Sequence, residues 1–303
     1  MEEKIVISHI KAGFGNQLLM YATGYAAAKR IGAKFKIDIS FFENSNEFEF
    51  KLNNLNIDYE CANQNEIDNL KSETTNSIFF RILKKIGVRN KFNKKTSIYE
   101  PFGFNADKRI LNLKHSAYIL GWVSNYSYFN DFRSDLLSLF SLKQPFSLQA
   151  NYYLKKINSC NSVSIHIRRG DYIELESFFR VLTIEFYKKA VDKISKLDED
   201  LTFFVFSNDL EWSKLNLNFL QNVVFVDLNF DGNYCGKADM EEFFLMKNCK
   251  HNIIANSSFS WWSAYLNANN KKNVILPKIW YNNKSYQKKY KKNPLSMPNW
   301  ISL

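Results

Sequence analysis

Short apolar runs alternate with helical periods along most of this chain, and that alternation restricts its fold more than any other feature. Runs that read as strands lie at Ile5–Ile10, Phe35–Ile39, Ala117–Leu120, Val163–Arg168, Thr202–Ser207, Val223–Val226, Asn252–Ala255 and Asn273–Leu276. Between them, apolar residues recur at helical spacing over Leu18–Ile31, which Gly32 closes, and over Glu185–Leu197, Met240–Cys249 and Trp262–Asn269. Strands that return through helices pair in parallel, so the pattern predicts an α/β architecture with parallel sheets. At 303 residues the chain suits two lobes. The boundary is expected near Gln144–Asn158, after Pro145, with an N-terminal lobe over 1–150 and a C-terminal lobe over 151–303. The stretch Phe41–Pro101 is rich in Asn and Lys and poorly patterned, with one helix expected near Ser77–Ile86.

The run Val163-Ser164-Ile165-His166-Ile167-Arg168-Arg169-Gly170-Asp171-Tyr172 carries the strongest chemical signal. Side chains alternate along a strand, so Ser164, His166 and Arg168 share one face and Ile165 and Ile167 the other. Arg169, Gly170 and Asp171 then turn out of the strand end. A rigid element thereby delivers two arginines, a histidine and a carboxylate to one point. Sites in α/β sheets lie at the C-terminal ends of strands, and a guanidinium fork matches phosphate oxygens, so the cluster suits a phosphate-bearing substrate.

Three other segments invite a functional reading. Gly13-Phe14-Gly15-Asn16-Gln17 follows the first strand and opens a helix. Its glycines let backbone approach a ligand, or serve only a plain strand-to-helix turn. Leu18 stands where a dinucleotide fingerprint needs its third glycine. Ser207-Asn208-Asp209 ends another strand, where Asn208 or Asp209 either caps a helix or faces a ligand. Asn256, Ser257, Ser258 and Ser260 cluster at a helix start, and capping needs one such residue rather than four, which favours a phosphate ligand. Asp198-Glu199-Asp200 matches the Asp-x-Asp of metal-dependent sugar-nucleotide enzymes, but it precedes a strand and reads as a solvated connection.

Charge and cysteine content narrow the class. The net charge is +11, with lysine-rich clusters at 84–95 and 284–292, the second interleaved with tyrosines. No nucleic-acid module signature accompanies them, so an anionic substrate, or weak peripheral attachment to an acidic membrane surface, fits better than nucleic acid. Cys61, Cys160, Cys235 and Cys249 form no Cys-x-x-Cys pair, and the four histidines show no metal spacing. Free thiols, with no secretory segment and no long apolar run, point to a cytoplasmic protein, either free or at the inner membrane face.

The Gly13–Gln17 opening, the His166–Tyr172 run and the Ala255–Trp262 turn resemble, in the same order, the bacterial α-1,2-fucosyltransferases of glycosyltransferase family eleven. The resemblance spans nearly the whole chain. It is strongest at Ile10–Arg30 and Val163–Leu266 and faint over Phe41–Pro101. It implies a GT-B-like fold of two Rossmann-type lobes with a cleft between them, 1–150 on the acceptor side and 151–303 binding GDP-fucose. It further implies GDP-fucose as donor, a galactose-terminated oligosaccharide as acceptor, inversion at the anomeric carbon, and neither cofactor nor metal. On that resemblance Arg168, aided by Arg169, Ser257 and Ser258, neutralises the departing diphosphate. His166 and Glu242 contact the guanine nucleoside, and Gly15 and Asn16 face the donor from the opposite lobe. Asp209 and Asn256 complete the expected donor contacts. Asp171 either serves as general base or orients Arg168. Glu242 stands where the family more often has Asp, and Asn208 where an acid is common.

Overall fold

The computed structural model describes residues 3–75, 98–99, 105–228, 238–289 and 295–303. The expected helix near Ser77–Ile86, the lysine cluster at 84–95, Cys235, and Lys291 and Lys292 lie outside the described residues. The chain divides into two compact units, Met1–Lys143 and Gln144–Leu303. The division falls before residue 150 because the helix Leu148–Asn158 buries Ala150, Tyr153 and Ile157 in the core of the second unit.

In the first unit, β1 (Ile5–His9), β2 (Lys34–Asp38), β3 (Ile98–Tyr99) and β4 (Ala117–Ile119) form a parallel sheet in the order β2-β1-β4-β3. Helix α1 (Phe14–Ile31) covers one face. It approaches closely at Gly24, where a Cβ would stand 2.5 Å from a ring carbon of Phe35 and 2.7 Å from Ser8 Cβ. Gly32 ends α1 at φ 62°, the left-handed conformation that glycine adopts without steric cost. The other face takes α2 (Gln64–Thr75), with Ile67 against Ile7 and Tyr118. Two short helices, α3 (Lys108–Leu111) and α4 (Arg133–Leu139), complete the described α-helices of this unit.

The second unit opens with α5 (Leu148–Asn158) and β5 (Asn161–Ile167). It continues through α6 (Gly170–Glu174), α7 (Ile184–Ser195), β6 (Leu201–Ser207), α8 (Leu210–Asn216), β7 (Val223–Phe225) and α9 (Ala238–Asn248). Then follow β8 (His251–Ile253), α10 (Ser258–Leu266), β9 (Val274–Leu276), α11 (Lys284–Lys289) and β10 (Ile301–Ser302). The sheet order is β10-β9-β8-β5-β6-β7, all parallel. Val163, Ile165 and Ile167 face α7 through Tyr187, Ala190 and Ile194. Phe204 and Phe206 face the opposite layer, where α5 and α9 contribute Ile157, Leu245 and Met246. Apolar residues on both faces make these strands near-continuous hydrophobic runs, as buried parallel strands require.

Polar groups tie the helices to the sheet. Asn252 donates to Ser164 Oγ (2.7 Å) and to the Met246 carbonyl (2.9 Å), and its own carbonyl accepts from Asn267 (2.8 Å). The Ser147 backbone and hydroxyl both donate to the Glu241 carboxylate, at 2.6 and 2.8 Å, which fastens the start of α5 to α9. No described helix is long and apolar enough to cross a membrane.

Candidate active site

β8, β5 and β6 are adjacent and parallel, so the turns that leave their C-terminal ends emerge side by side. These turns carry Asn256–Ser258, Arg168–Asp171 and Asn208–Asp209. Eight of the expected site residues are therefore brought to one sheet edge by topology: His166, Arg168, Arg169, Asp171, Asp209, Asn256, Ser257 and Ser258.

Arg168 leaves β5 and turns onto Asp171. Its Nη2 donates to Oδ2 at 2.9 Å. Its Nε lies 2.9 Å from Oδ1, close enough for an ion pair but without an aligned hydrogen bond. The guanidinium carbon also stands 5.6 Å from the Tyr172 ring centroid. Tyr172 is fixed in turn, stacking on Phe179 at 4.5 Å and donating its hydroxyl to the Asn256 carbonyl at 3.0 Å. With one edge of the fork held by Asp171 and a third of the side chain exposed, Arg168 retains donors for a second anion. Both oxygens of Asp171 face the same arginine.

Arg169 turns the other way. Its Nε donates to Asp209 Oδ2 at 3.1 Å, and its guanidinium lies 3.9 Å from the Trp212 ring centroid. Its backbone N–H donates to Asn208 Oδ1 at 2.9 Å. Asp209 Oδ1 accepts from Trp212 N at 3.2 Å, so this residue both caps α8 and pairs with Arg169. The two arginines thus have different partners, and Arg168 is the more exposed of the pair. Gly170 lets the turn pass Asn208, since a Cβ there would stand 2.5 Å from the Asn208 amide nitrogen.

Asn256 is a framework residue in this structure. Its amide nitrogen donates to the carbonyls of Arg180 (2.9 Å) and Trp280 (2.8 Å), while its buried Oδ1 has no partner among the described residues. Ser257 caps α10, its hydroxyl accepting from Phe259 N at 3.3 Å. Ser258 begins the helix and is partly exposed. Capping thus takes one of the four polar residues and cross-linking another.

His166 is buried, its ring 5.7 Å from that of Phe259, with Nδ1 unpaired among the described residues. Burial and then Arg168 hold its pKa down to about 3, so the ring is neutral. Glu242 lies on α9 beside Phe243, and burial, then Asp239 and Asp227, push it up to about 8. Its neighbour Glu241 serves α5 instead. Asp198 sits at the opposite edge and is not merely solvated. His251 Nδ1 accepts from Asn273 N at 3.0 Å, which leaves Nε2–H to donate to Asp198 at 2.9 Å. Among the described residues no three His, Cys, Asp or Glu gather as metal ligands would.

In the first unit, Gly13 precedes α1 and Gly15 and Asn16 fall in its first turn, Gly15 buried and Asn16 partly exposed. Gln17 is fully engaged, donating to the carbonyls of Ala12 and Glu49 (2.8 Å each) and accepting from Lys51 N (3.0 Å). Sequence reasoning passed over a polar group at the ends of β1, β2 and β4. Asp38 accepts from Tyr118 Oη at 2.6 Å and from Ser40 N at 2.9 Å, with Lys71 Nζ at 3.8 Å. Burial pushes Asp38 up, but these hydrogen bonds and His9 outweigh it and hold the carboxyl below its usual range. His9 aligns with Asp38 in the strand register. Burial lowers its pKa, Asp38 opposes that, and Lys11 and Lys71 add to it, leaving the ring below its usual value.

The model of the family described as Glycosyl transferase family 11 matches residues 5–303. An α-1,2-colitosyltransferase of Escherichia coli is 31% identical over 91% of this chain and 92% of its own length. The O-antigen biosynthesis glycosyltransferase WbnK of Escherichia coli is 30% identical over 98% of this chain and 99% of its own. Among solved structures, a substituted Arabidopsis thaliana FUT1 in complex with GDP superposes with a TM-score of 0.51. It shares 11% identity, over 91% of this chain and 70% of that one, a likeness of fold. The paired parallel α/β units are those of the GT-B class.

Proposed function

The chain belongs to glycosyl transferase family 11, and from that premise we propose that it transfers fucose from GDP-fucose to the 2-hydroxyl of a terminal galactose in a surface glycan or its precursor. The transfer inverts the anomeric carbon and needs no divalent ion. The observation that carries this reading is the Arg168 fork, braced on one side by Asp171 and Tyr172 and open on the other, at the C-terminal edge of the sheet.

The chemistry makes the demand. As the bond from the sugar C1 to the diphosphate oxygen breaks, GDP takes the electron pair and gains negative charge. The acceptor oxygen bonds to C1 from the opposite face and gives up its proton to solvent water as the leaving group departs. Preorganised positive charge at the leaving group lowers that barrier, and Arg168 supplies it without having to reorient. Arg169 contributes by fixing the turn through Asp209, and the amides and hydroxyls at Ser257–Ser258 add donors. Glu242, once ionised, accepts both N–H groups on the edge of guanine, and His166 lies beside the nucleoside as a neutral ring. Asp171 holds Arg168 in place.

The name of one E. coli relative favours a second donor, a GDP-linked colitose. Colitose is fucose without its 3-hydroxyl. A site that hydrogen-bonds this hydroxyl rejects the deoxy sugar by orders of magnitude, whereas a site that ignores it takes both. The test is a screen of GDP-fucose and GDP-colitose against galactose-terminated oligosaccharides, with the linkage of each product determined. An α-1,2-fucosyl product supports the proposal. An α-1,3 or α-1,6 linkage, or turnover with GDP-colitose alone, overturns its specificity.

A further inference from the structure

Asp171 and Tyr172, which flank the Arg168 guanidinium, both lie on α6, and α6 is five residues long. Isolated helices shorter than about 12–15 residues are marginal in water, so the hold on α6 comes from outside it. Turns continue past its end, where Phe178 N and Phe179 N both donate to the Leu175 carbonyl at 2.9 Å. Asn282 meets the end of that run. Its backbone N–H donates to the Phe178 carbonyl at 2.9 Å. Its side-chain amide donates to the carbonyls of Glu176 at 2.9 Å and Phe179 at 3.3 Å. Beside it, Tyr281 pairs with Phe179 in an antiparallel bridge, and its ring lies 5.7 Å from that of Phe179 and 5.3 Å from that of Phe178. Trp280 anchors the segment. It is buried just past β9, its indole N–H donates to the Pro277 carbonyl at 3.1 Å, and its own carbonyl accepts from Arg180 N at 3.2 Å.

We propose that Asn282 is a positioning residue for the transfer: it ties the turn at 176–179 to the segment that leaves β9 and so sets, through Phe179 and Tyr172, where the Arg168 guanidinium stands. The proposal rests on the reading of Arg168 as the group that meets the diphosphate. The route is contiguous. Phe179, held by Asn282 and Tyr281, stacks on Tyr172 at 4.5 Å with the ring planes 9° apart. Tyr172 in turn lies 5.6 Å from the guanidinium carbon. The Asn256 carbonyl fixes only the hydroxyl end of Tyr172, so the tilt of the ring about that end is limited by Phe179. Releasing the turn therefore moves Phe179, Tyr172 and Asp171 together. The residue type fits the task. The Asn282 side chain meets two carbonyl oxygens, and an amide nitrogen carries two N–H donors where a carboxylate carries none. Charge stabilises a transition state best when it stands in place beforehand, and a displacement of about 1 Å costs up to roughly 10²-fold in rate.

The test compares wild type, Asn282→Ala, Asn282→Asp and Asn282→Gln in the full chain, each also combined with Arg168→Ala. Two quantities are read: GDP affinity by calorimetry, which needs no turnover, and steady-state transfer with whichever donor and acceptor of the screen react. Asn282 is exposed, so its truncation opens no core cavity and thermal midpoints are expected to match wild type. Asn282→Ala should lower kcat about tenfold, leave the acceptor KM unchanged and weaken GDP binding. Asn282→Asp, which cannot donate, should lose as much, and Asn282→Gln, which keeps the donor, should recover part of the loss. Combined with Arg168→Ala, the same substitutions should change neither quantity, since the group they position is gone. Losses of equal size in both backgrounds would show a purely structural role and overturn the proposal. So would kcat and GDP affinity of Asn282→Ala within about twofold of wild type. Arg168→Ala with wild-type GDP affinity and turnover would remove the diphosphate reading and the proposal with it. Loss in Arg168→Ala beside unaltered Asn282 variants would remove the proposal alone.

Discussion

Replacing Asp171 with Asn separates the two roles open to this carboxylate. In the structure it meets Arg168 through one aligned hydrogen bond of 2.9 Å and one ionic contact of 2.9 Å, with the two side chains 34% and 45% exposed. Ion pairs this accessible to water contribute about 0.2–1 kcal/mol. Asparagine keeps an oxygen to accept from Nη2, and Tyr172 still flanks the guanidinium. If the whole pair energy were expressed in the transition state, the upper bound of about 1 kcal/mol corresponds to roughly a fivefold fall in kcat. Removing a general base instead costs about 10²- to 10⁴-fold. The two outcomes are separated by more than a factor of ten. Initial rates of GDP release at saturating donor and acceptor, measured from pH 5 to 9, decide between them. A drop of 100-fold or more, with the acidic limb of the pH profile abolished in a variant of unchanged thermal midpoint, would refute the orienting role.

Arg168→Ala should lower kcat about 10²-fold or more, the usual scale for one lost stabiliser of developing charge, and activity within a few-fold of wild type would remove this residue from the mechanism. Activity should survive EDTA, and a loss that Mn²⁺ restores would argue for a bound metal. Glu242, raised to about 8 when folded and near 4.3 when unfolded, is protonated in the native state over the pH range in which the unfolded chain ionises it. Its contribution to stability is therefore full below about pH 4.3 and lost as pH climbs through about 8. Glu242→Gln should flatten that decline and exceed wild type at pH 8 by an order of a few kcal/mol in urea unfolding; identical slopes in both proteins would contradict the assignment. Gly24→Ala should destabilise by about 1–3 kcal/mol by forcing α1 off Phe35 and Ser8, and an unchanged thermal midpoint would show that the interface relaxes freely.

The eight strands expected from apolar runs are all present, each within a residue or two of its expected ends. They were legible because residues buried on both faces leave a continuous hydrophobic signature. β3 and β10 were not, since two-residue edge strands have no period to detect. Nor was α2, whose sequence is mostly polar and whose link to the core runs chiefly through Ile67. The same division holds at the site. Arg168 and Asp171 are three residues apart, so local spacing announced them. The bonds of Asn256 to Arg180 and Trp280, and of Ser147 to Glu241, span 76, 24 and 94 residues, and no local pattern reports such pairings. For this reason the cross-link made by the Asn256 amide nitrogen was not legible, and Glu241 went unnoticed beside Glu242.

The Asn256 amide fastens three distant stretches, and both of its acceptors are main-chain oxygens. Substitution at Arg180 or Trp280 leaves those oxygens where they are, whereas inserting or deleting one residue nearby displaces them. Loop grafting between relatives around 175–183 should therefore tolerate wide variation in composition and almost none in length. Libraries that vary this loop are best built by recoding it at fixed size.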